Sequence, residues 1–242
     1  MPLSHGPVAF ADRHDAGRQL AAALAEYRNQ PVVVLAIPNG GVPVALEVAI
    51  VLQAELGLVI SRKIPLPLSP EAGFGAVTDD GAVILNDDLV KRAGLTPHQV
   101  NYQVSKVRAD IRQRTLLYQR DRPLSRVTDK TVIIVDDGLA TGYTMMAAVE
   151  SVRRRHPRKV IAAAPVGSAA AVKELAKTAD RVVTVVTGYM PGFSVAGFYG
   201  NWYDPSDNEV LQCLKEWEVR RYHPDMELPP DRRPAQPMDG HD

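Results

Sequence analysis

The sequence predicts an α/β fold, in which a central and mainly parallel β-sheet is flanked by helices. Short apolar, β-branched segments alternate along the chain with segments of helical periodicity. The apolar segments lack the alternation of a half-exposed strand, so we expect both of their faces to be buried, as in parallel sheets. The composition, with 45% hydrophobic and 23% charged residues, is that of an ordinary globular protein.

The predicted strands and helices alternate along the chain both before and after one long insert. Each predicted strand is a short apolar run, and each helix shows the periodicity of an amphipathic segment. The strands are predicted at residues 32–37, 57–61, 131–136, 160–165 and 182–187. The helices are predicted at residues 12–27, 42–55, 143–155 and 169–179, with Ser168 as the N-cap of the last.

The insert, about residues 64–122, separates the second and third predicted strands. Its first part, 64–81, is rich in Pro and Gly and is expected to form a mobile lid with few large apolar side chains. Segments 74–77 and 82–85 form a candidate hairpin that turns at residues 79–81. A long helix at 96–119 carries one apolar stripe, which indicates a packing face. The stripe residues are Val100, Val104, Val107, Ile111 and Tyr118.

We predict a single domain over residues 1–223 and a disordered tail at 224–242, which is rich in proline and charge. Lys plus Arg and Asp plus Glu both number 28, so no overall positive field attracts nucleic acid or an anionic membrane. The single cysteine, Cys213, cannot form an internal disulfide. Because no signal or membrane-spanning segment is apparent either, we expect a cytoplasmic protein.

The most informative segment is residues 132–144, where an apolar strand runs into Asp136 and Asp137, a tight loop and a helix. Two adjacent carboxylates can serve one ligand only where a strand ends and the chain begins to turn. We expect both to be accessible to solvent and dispensable for the fold. An ordinary turn with two solvated aspartates is the alternative interpretation.

The loop after the acid pair has the composition of a phosphate site. Gly138 and Gly142 permit close backbone approach, and amides at the start of a helix suit a phosphate. Thr141 and Thr144 add hydroxyl groups. A phosphate site directly beside two carboxylates fits a ribose 5-phosphate, whose hydroxyls can donate to the acids.

These thirteen residues resemble the phosphoribosyl-pyrophosphate (PRPP) binding motif of type I phosphoribosyltransferases, and the wider chain is similar to uncharacterised bacterial members. The resemblance implies a Rossmann-like sheet with a lid or hairpin insertion and a small C-terminal hood. It also implies transfer of a 5-phosphoribosyl group from PRPP to a nitrogen, with Mg²⁺ held through substrate and water and no direct protein ligand. The residues it assigns to the 5-phosphate are Gly138, Leu139, Ala140, Thr141, Gly142 and Thr144.

A second glycine-rich turn follows the first predicted strand and contains Asn39, Gly40 and Gly41. The resemblance assigns this turn to pyrophosphate, together with Arg62 and Lys63 after the next strand. Many relatives carry Arg or Lys just before the glycines, whereas this chain has Asn39.

The resemblance gives Asp136 and Asp137 the role of orienting the ribose. Some relatives that act on 6-oxopurines carry a further acid in the loop, at the position of Ala140 here. A proton acceptor is therefore expected elsewhere, and Glu71 in the lid segment is the candidate to contact the acceptor. A solvated loop carboxylate is the alternative for Glu71.

Aromatic residues are concentrated between residues 189 and 203, where the family places a hood over the acceptor. Base stacking and a simple packed cluster both remain open for them. The implied partners are PRPP and a small-molecule nitrogen acceptor, with no membrane or nucleic acid, and a homodimer is left open. A non-catalytic PRPP- or nucleotide-binding regulator is the alternative function, and the lack of an obvious ATP site disfavours pyrophosphoryl transfer.

Overall fold

The computed structural model describes residues 8–67, 69–119, 124–189 and 192–222. The predicted tail at 224–242 lies outside these ranges. The strands are β1 (Val32–Ala36), β2 (Glu55–Leu58), β3 (Ser61–Leu66), β4 (Ser69–Thr78), β5 (Val83–Leu85), β6 (Thr131–Val135), β7 (Lys159–Ser168) and β8 (Arg181–Gly188). The helices are α1 (Arg13–Ala23), α2 (Gly41–Leu52), α3 (Asp87–Arg92), α4 (Pro97–Gln119), α5 (Tyr143–Arg153), α6 (Ala169–Leu175) and α7 (Asp207–Tyr222).

Five strands form a parallel sheet in the order β2-β1-β6-β7-β8, as the sequence predicts. All residues of β1 and β6 are buried, since helices cover both faces of the sheet. β1 and β6 are neighbours in register, with Val32 opposite Thr131 and Ala36 opposite Val135. The two glycine-containing turns that follow these strands therefore meet at the same edge of the sheet.

The second predicted strand, residues 57–61, is not one strand. β2 ends at Leu58, and Ser61 already begins β3 in a separate antiparallel sheet of order β3-β4-β5. The apolar residues Val59 and Ile60 between them are buried, which explains why the run reads as a continuous strand. The chain thus leaves the main sheet within this apolar run.

The candidate hairpin of the insert is confirmed, because β4 and β5 pair antiparallel with Val77 opposite Val83. The lid prediction is wrong for the root of this segment. Ile64, Phe74 and Val77 have no exposed surface and belong to the same core cluster as β1 and α2. At the outer end of the β3-β4 hairpin, Leu66 pairs with Ser69 and is partly buried against the same cluster.

Helix α4 covers the insert with the stripe predicted from its sequence. The side chains of Val104, Val107, Ile111 and Tyr118 are at most 8% exposed and pack into the core, with Val100 partly buried beside them. Ser168 caps α6 by accepting a hydrogen bond from the Ala171 N–H, also as predicted. No helix in the described ranges has the length and apolar character needed to cross a bilayer.

The C-terminal region returns over the sheet edge and supplies the predicted hood. α7 packs against α2, and the indole Nε1 of Trp217 donates to the Ala54 carbonyl. Of the aromatic residues before α7, Phe198 and Tyr199 are buried and form a small core with Phe10. Those two residues are therefore packed, whereas Trp202 and Tyr203 stay partly exposed near the sheet edge.

Candidate active site

A cleft of about 750 Å³ opens at the carboxyl edge of β1 and β6, between the sheet, the β3-β4 hairpin and α4. The turn after β1 lines it with residues 38–40, whereas the segment after β6 lines it with Asp136, Asp137 and Thr144 and not with residues 138–143. Its charged lining residues within the described ranges are Arg13, Arg62, Lys63, Lys106, Asp110, Arg114, Asp136, Asp137 and Asp204. Arginine and lysine side chains of the insert thus face the carboxylates that follow the sheet strands across this cleft.

The turn after β1 lies directly against the acid pair. A Cβ atom on Gly40 would be 1.9 Å from Oδ2 of Asp137, and one on Gly41 would be 2.7 Å from the Val135 carbonyl oxygen. Only glycine fits such contacts. The peptide bond between Pro38 and Asn39 in this turn is cis.

The two carboxyl groups of the acid pair are half-buried where they line the cleft, and they lie close together. Oδ1 of Asp136 accepts a hydrogen bond from the Asp137 N–H at 2.9 Å. Burial, followed by the charge of Asp137, raises the pKa of Asp136 well above its ordinary value. A site of this kind is stabilised when hydroxyl donors or a cation reach the carboxyl groups.

Arg13, the first residue of α1, compensates the charge of Asp137. Its Nε and Nη2 donate to Oδ2 of Asp137 at 2.9 and 2.8 Å, and Nη1 donates to the Tyr203 carbonyl at 2.6 Å. The guanidinium lies 4.0 Å from the ring centre of Trp202, and Arg13 is only 4% exposed. The Tyr199 hydroxyl also donates to the Asp137 carbonyl. Asp137 therefore takes part in structural contacts as well as lining the cleft, and the expectation that the fold can dispense with both acids stays a prediction.

The loop after β6 presents unused backbone donors at the start of α5. The N–H groups of Ala140, Thr141 and Tyr143 donate to no acceptor among the described residues. Gly142 has φ +80°, a conformation that glycine adopts without strain, and Thr144 lines the cleft. The loop thus has the free amides that the sequence analysis expects of it.

Two residues of the predicted phosphate-binding loop, Leu139 and Gly138, make structural contacts within the protein. Leu139 donates its N–H to the Val166 carbonyl at 2.9 Å, and its side chain is buried. The prediction is therefore wrong for the amide of Leu139, which ties the loop to β7. Gly138 is packed so tightly that a Cβ would lie 2.3 Å from Val195.

Asn39 lines the cleft, but its side chain bonds to protein groups. Nδ2 donates to the Pro205 carbonyl at 2.8 Å and to Asp207 at 3.0 Å, while Oδ1 accepts from Nη1 of Arg114 at 2.6 Å. Because its donors and acceptor are already used, the prediction of a pyrophosphate contact through the Asn39 side chain needs correction. Sequence reasoning missed Arg114, because it lies 75 residues from Asn39.

The remaining predicted residues come from the insert. Arg62 and Lys63 follow the start of β3 and line the cleft, and Nε of Arg62 lies 3.2 Å from Oδ2 of Asp110. Glu71 lies in β4 at the outer part of the hairpin. Its contact with an acceptor stays a prediction.

A family model described as a phosphoribosyl transferase domain matches residues 11–196, about three quarters of the chain. The chain belongs to the phosphoribosyltransferase family. Two curated proteins of Mycobacterium tuberculosis strains, named "Putative phosphoribosyl transferase" MT0597 and Rv0571c, are each 41% identical over 205 residues. These matches cover 85% of this chain and 46% of each relative, so this family member spans about half of their length.

A solved structure also resembles this phosphoribosyltransferase-family chain over nearly its full length. The crystal structure of TT1426 from Thermus thermophilus is 36% identical, with a TM-score of 0.70. The match covers 86% of this chain and 98% of that one.

Proposed function

We propose that this chain transfers a 5-phosphoribosyl group from PRPP to a nitrogen of a base or amine acceptor and releases pyrophosphate. The observation that carries the proposal is the position of the acid pair. Asp136 and Asp137 lie between a loop with free amides and a turn whose two glycines press against them. This order of groups matches the order of 5-phosphate, ribose hydroxyls and pyrophosphate along PRPP.

In the proposed reaction, the bond from the anomeric carbon to pyrophosphate breaks and a bond to the acceptor nitrogen forms, while that nitrogen loses a proton. Asp136 and Asp137 accept hydrogen bonds from the ribose hydroxyls and so orient the anomeric carbon. The amides of the loop 138–144, except that of Leu139, hold the 5-phosphate. Arg62 and Lys63 stabilise the charge that develops on the leaving pyrophosphate.

The site fits a magnesium ion held mainly by the substrate. Among the described residues, no three His, Cys, Asp or Glu side chains are grouped as a metal site. The carboxylates of Asp136 and Asp137 would hold such an ion through water, and pyrophosphate, ribose hydroxyls and water would supply the oxygen ligands that Mg²⁺ prefers. The ion would supply positive charge for the leaving pyrophosphate, and positive charge nearby would favour the ionised form of Asp136, whose pKa burial raises.

The direct experiment measures pyrophosphate release when the protein is incubated with PRPP, Mg²⁺ and a panel of bases and amines. We expect release that depends on one class of acceptor. Binding of PRPP with no release from any acceptor would instead support a non-catalytic regulator. Absence of PRPP binding up to millimolar concentration would overturn the site.

Replacing Thr141 by alanine should weaken the binding of Mg-PRPP by about 1–3 kcal/mol, because a hydrogen bond to a charged phosphate is lost. Thr141 is exposed and its hydroxyl bonds to no described residue, so the fold should be unaffected. Calorimetry measures the change. Thr128→Ala, an exposed threonine beside the start of β6 at the opposite edge of the sheet, is the matched control and should leave affinity unchanged. Equal affinities for Thr141→Ala and the wild type would contradict the assignment.

Hydrogen exchange should divide the β3-β4 hairpin into two parts. Amides of Phe74 to Val77 should exchange slowly with or without ligand, because these residues are buried and paired. The amides of Ser69, Glu71 and Ala72 at the outer end should exchange fast and slow down when PRPP and Mg²⁺ are added, as expected if this end closes over the site. Identical exchange of the outer end with and without ligand would contradict the lid. Unaltered turnover of Glu71→Gln would contradict a role of Glu71 in the reaction.

A further inference from the structure

Arg114 projects from α4 into the wall of the cleft that faces the turn after β1. Its side chain is 20% exposed, so it is mostly enclosed and still reaches the cleft. Nη1 donates to Oδ1 of Asn39 at 2.6 Å. The cation therefore lies at the glycine-containing turn although it comes from a different element.

Three further groups fix the orientation of this guanidinium. Nη1 also donates to Oδ1 of Asp207 and to the Tyr118 hydroxyl, both at 3.1 Å, and the Tyr118 hydroxyl in turn donates to Asp207. Burial and the hydrogen bond to Asp207 raise the pKa of Tyr118 to about 12, so this hydroxyl stays protonated and remains a donor. Nε of Arg114 lies 3.4 Å from Oδ2 of Asp110. The side chain is thus held by four groups, which come from α4, α7 and the turn after β1.

One nitrogen of the Arg114 guanidinium remains available to a ligand. Nη2 of Arg114 donates to no acceptor among the residues that the structure describes. Arg62 shares Asp110 with Arg114, and its pKa is lowered first by burial and then by the neighbouring Arg114 cation. Two adjacent guanidinium groups in a partly enclosed wall are suited to an anion with several phosphate oxygens.

We propose that Arg114 binds the pyrophosphate group of the substrate, and that Asn39 orients Arg114 and has no direct contact with the ligand through its side chain. This inference rests on the proposed function. It places the cation for pyrophosphate on α4, opposite a turn that itself carries no basic side chain.

The test compares two ligands that differ only in pyrophosphate. Calorimetry in the presence of Mg²⁺ gives the affinities of PRPP and of ribose 5-phosphate for the wild type and Arg114→Gln. We expect PRPP affinity to fall about 10- to 100-fold, as for a lost hydrogen bond between charged groups. Ribose 5-phosphate, which contacts only the loop and the acid pair, should bind both proteins equally.

Arg112→Gln is the matched control, because Arg112 is exposed on the same helix and absent from the cleft lining; it should bind both ligands like the wild type. Equal PRPP affinity for Arg114→Gln and the wild type would overturn the inference alone. An equal loss for both ligands would indicate a merely structural role and also overturn it. A wild type that binds neither ligand would overturn the proposed function as well.

Arg114→Lys provides the comparison if Arg114→Gln fails to fold. Lysine keeps the positive charge but lacks the forked donors that bridge Asn39 and the ligand. PRPP affinity of this variant should lie between those of the wild type and Arg114→Gln, with ribose 5-phosphate affinity unchanged. Wild-type affinity for PRPP in Arg114→Lys would show that the oriented guanidinium is not required.

Discussion

Replacing Arg13 by methionine should lower the free energy of unfolding at neutral pH by about 3 kcal/mol, because a buried carboxylate loses its charge partner. Arg13 donates twice to Oδ2 of Asp137 and is 4% exposed, so water cannot replace it readily. The change also removes the donor to the Tyr203 carbonyl and the stacking on Trp202. Urea unfolding of the wild type and Arg13→Met measures the difference.

The loss should shrink as the pH is lowered. Burial raises the pKa of Asp137 above its ordinary value although the Arg13 guanidinium lowers it, so removing Arg13 raises this pKa further and favours the protonated carboxyl. Protonated Asp137 needs no charge partner, so below the ordinary carboxyl pKa of about 4 only the loss of the Tyr203 hydrogen bond and the Trp202 stacking should remain. A loss that is the same at acidic and neutral pH would show that packing, and not charge, is what Arg13 supplies.

Asp136→Asn is the contrasting control, and it should raise the free energy of unfolding at neutral pH by about 0.5–2 kcal/mol. The pKa of Asp136 is higher in the folded protein than in the unfolded chain. In the pH interval between these two pKa values, the folded protein therefore holds a proton that the unfolded chain has lost. Wild-type stability therefore falls as the pH rises through the interval, and the cost is complete above it. Asparagine cannot ionise, so its advantage should grow as the pH rises through this interval and be absent at low pH. Loss of stability in Asp136→Asn at neutral pH would contradict this account.

Replacing Gly40 by alanine should lower Mg-PRPP affinity by about 10- to 100-fold, because the displaced Asp137 carboxylate loses a charge-assisted hydrogen bond to the ribose. The added Cβ would lie 1.9 Å from Oδ2 and 2.6 Å from Cγ of Asp137, so the carboxylate must leave the position in which it accepts from Arg13. Overpacking should also cost about 1–3 kcal/mol of stability. Gly40 itself has φ −59°, so the effect is steric and not a matter of backbone conformation.

Gly94→Ala separates the two effects of that substitution. Gly94 has φ +63° with open space around it and lies away from the cleft, so alanine there strains the backbone without touching the acid pair. We expect a loss of stability of about 1 kcal/mol and unchanged PRPP affinity. Calorimetry gives the PRPP affinity of both variants and thermal melts give their stability. Wild-type PRPP affinity in Gly40→Ala would contradict the assigned geometry.

The sequence predicted the parts of the site that short segments determine. An apolar run followed by Asp136, Asp137 and a glycine-containing loop encodes its own strand, turn and helix start, and the parallel sheet then brings this loop beside Gly40 and Gly41. These features depend on periodicity and on the conformational freedom of glycine, which a single chain segment reveals.

The parts that were missed depend on contacts between distant segments. Arg13 and Asp137 are 124 residues apart, and nothing local distinguishes a buried arginine at the start of α1 from a solvated one. The lid prediction failed at its root for a related reason. A segment rich in Pro and Gly is typical of a loop, but Phe74 and Val77 within it are buried by α4 and by the rest of the core.

The core cluster that includes Phe74 has a practical consequence for finding the acceptor. One cluster joins Val34 of the sheet, Val44 of α2, Phe74 and Ile111 of the insert, and Leu214 of α7. Elements that share their buried surface should melt together, so a small molecule held anywhere in the cleft should delay unfolding of the whole chain. At about 100 times its dissociation constant, such a molecule adds about 2.7 kcal/mol and raises the melting temperature by about 5–10 °C. Candidate acceptors can therefore be ranked by thermal shift in the presence of Mg²⁺ and pyrophosphate, even while the product of the reaction is unidentified.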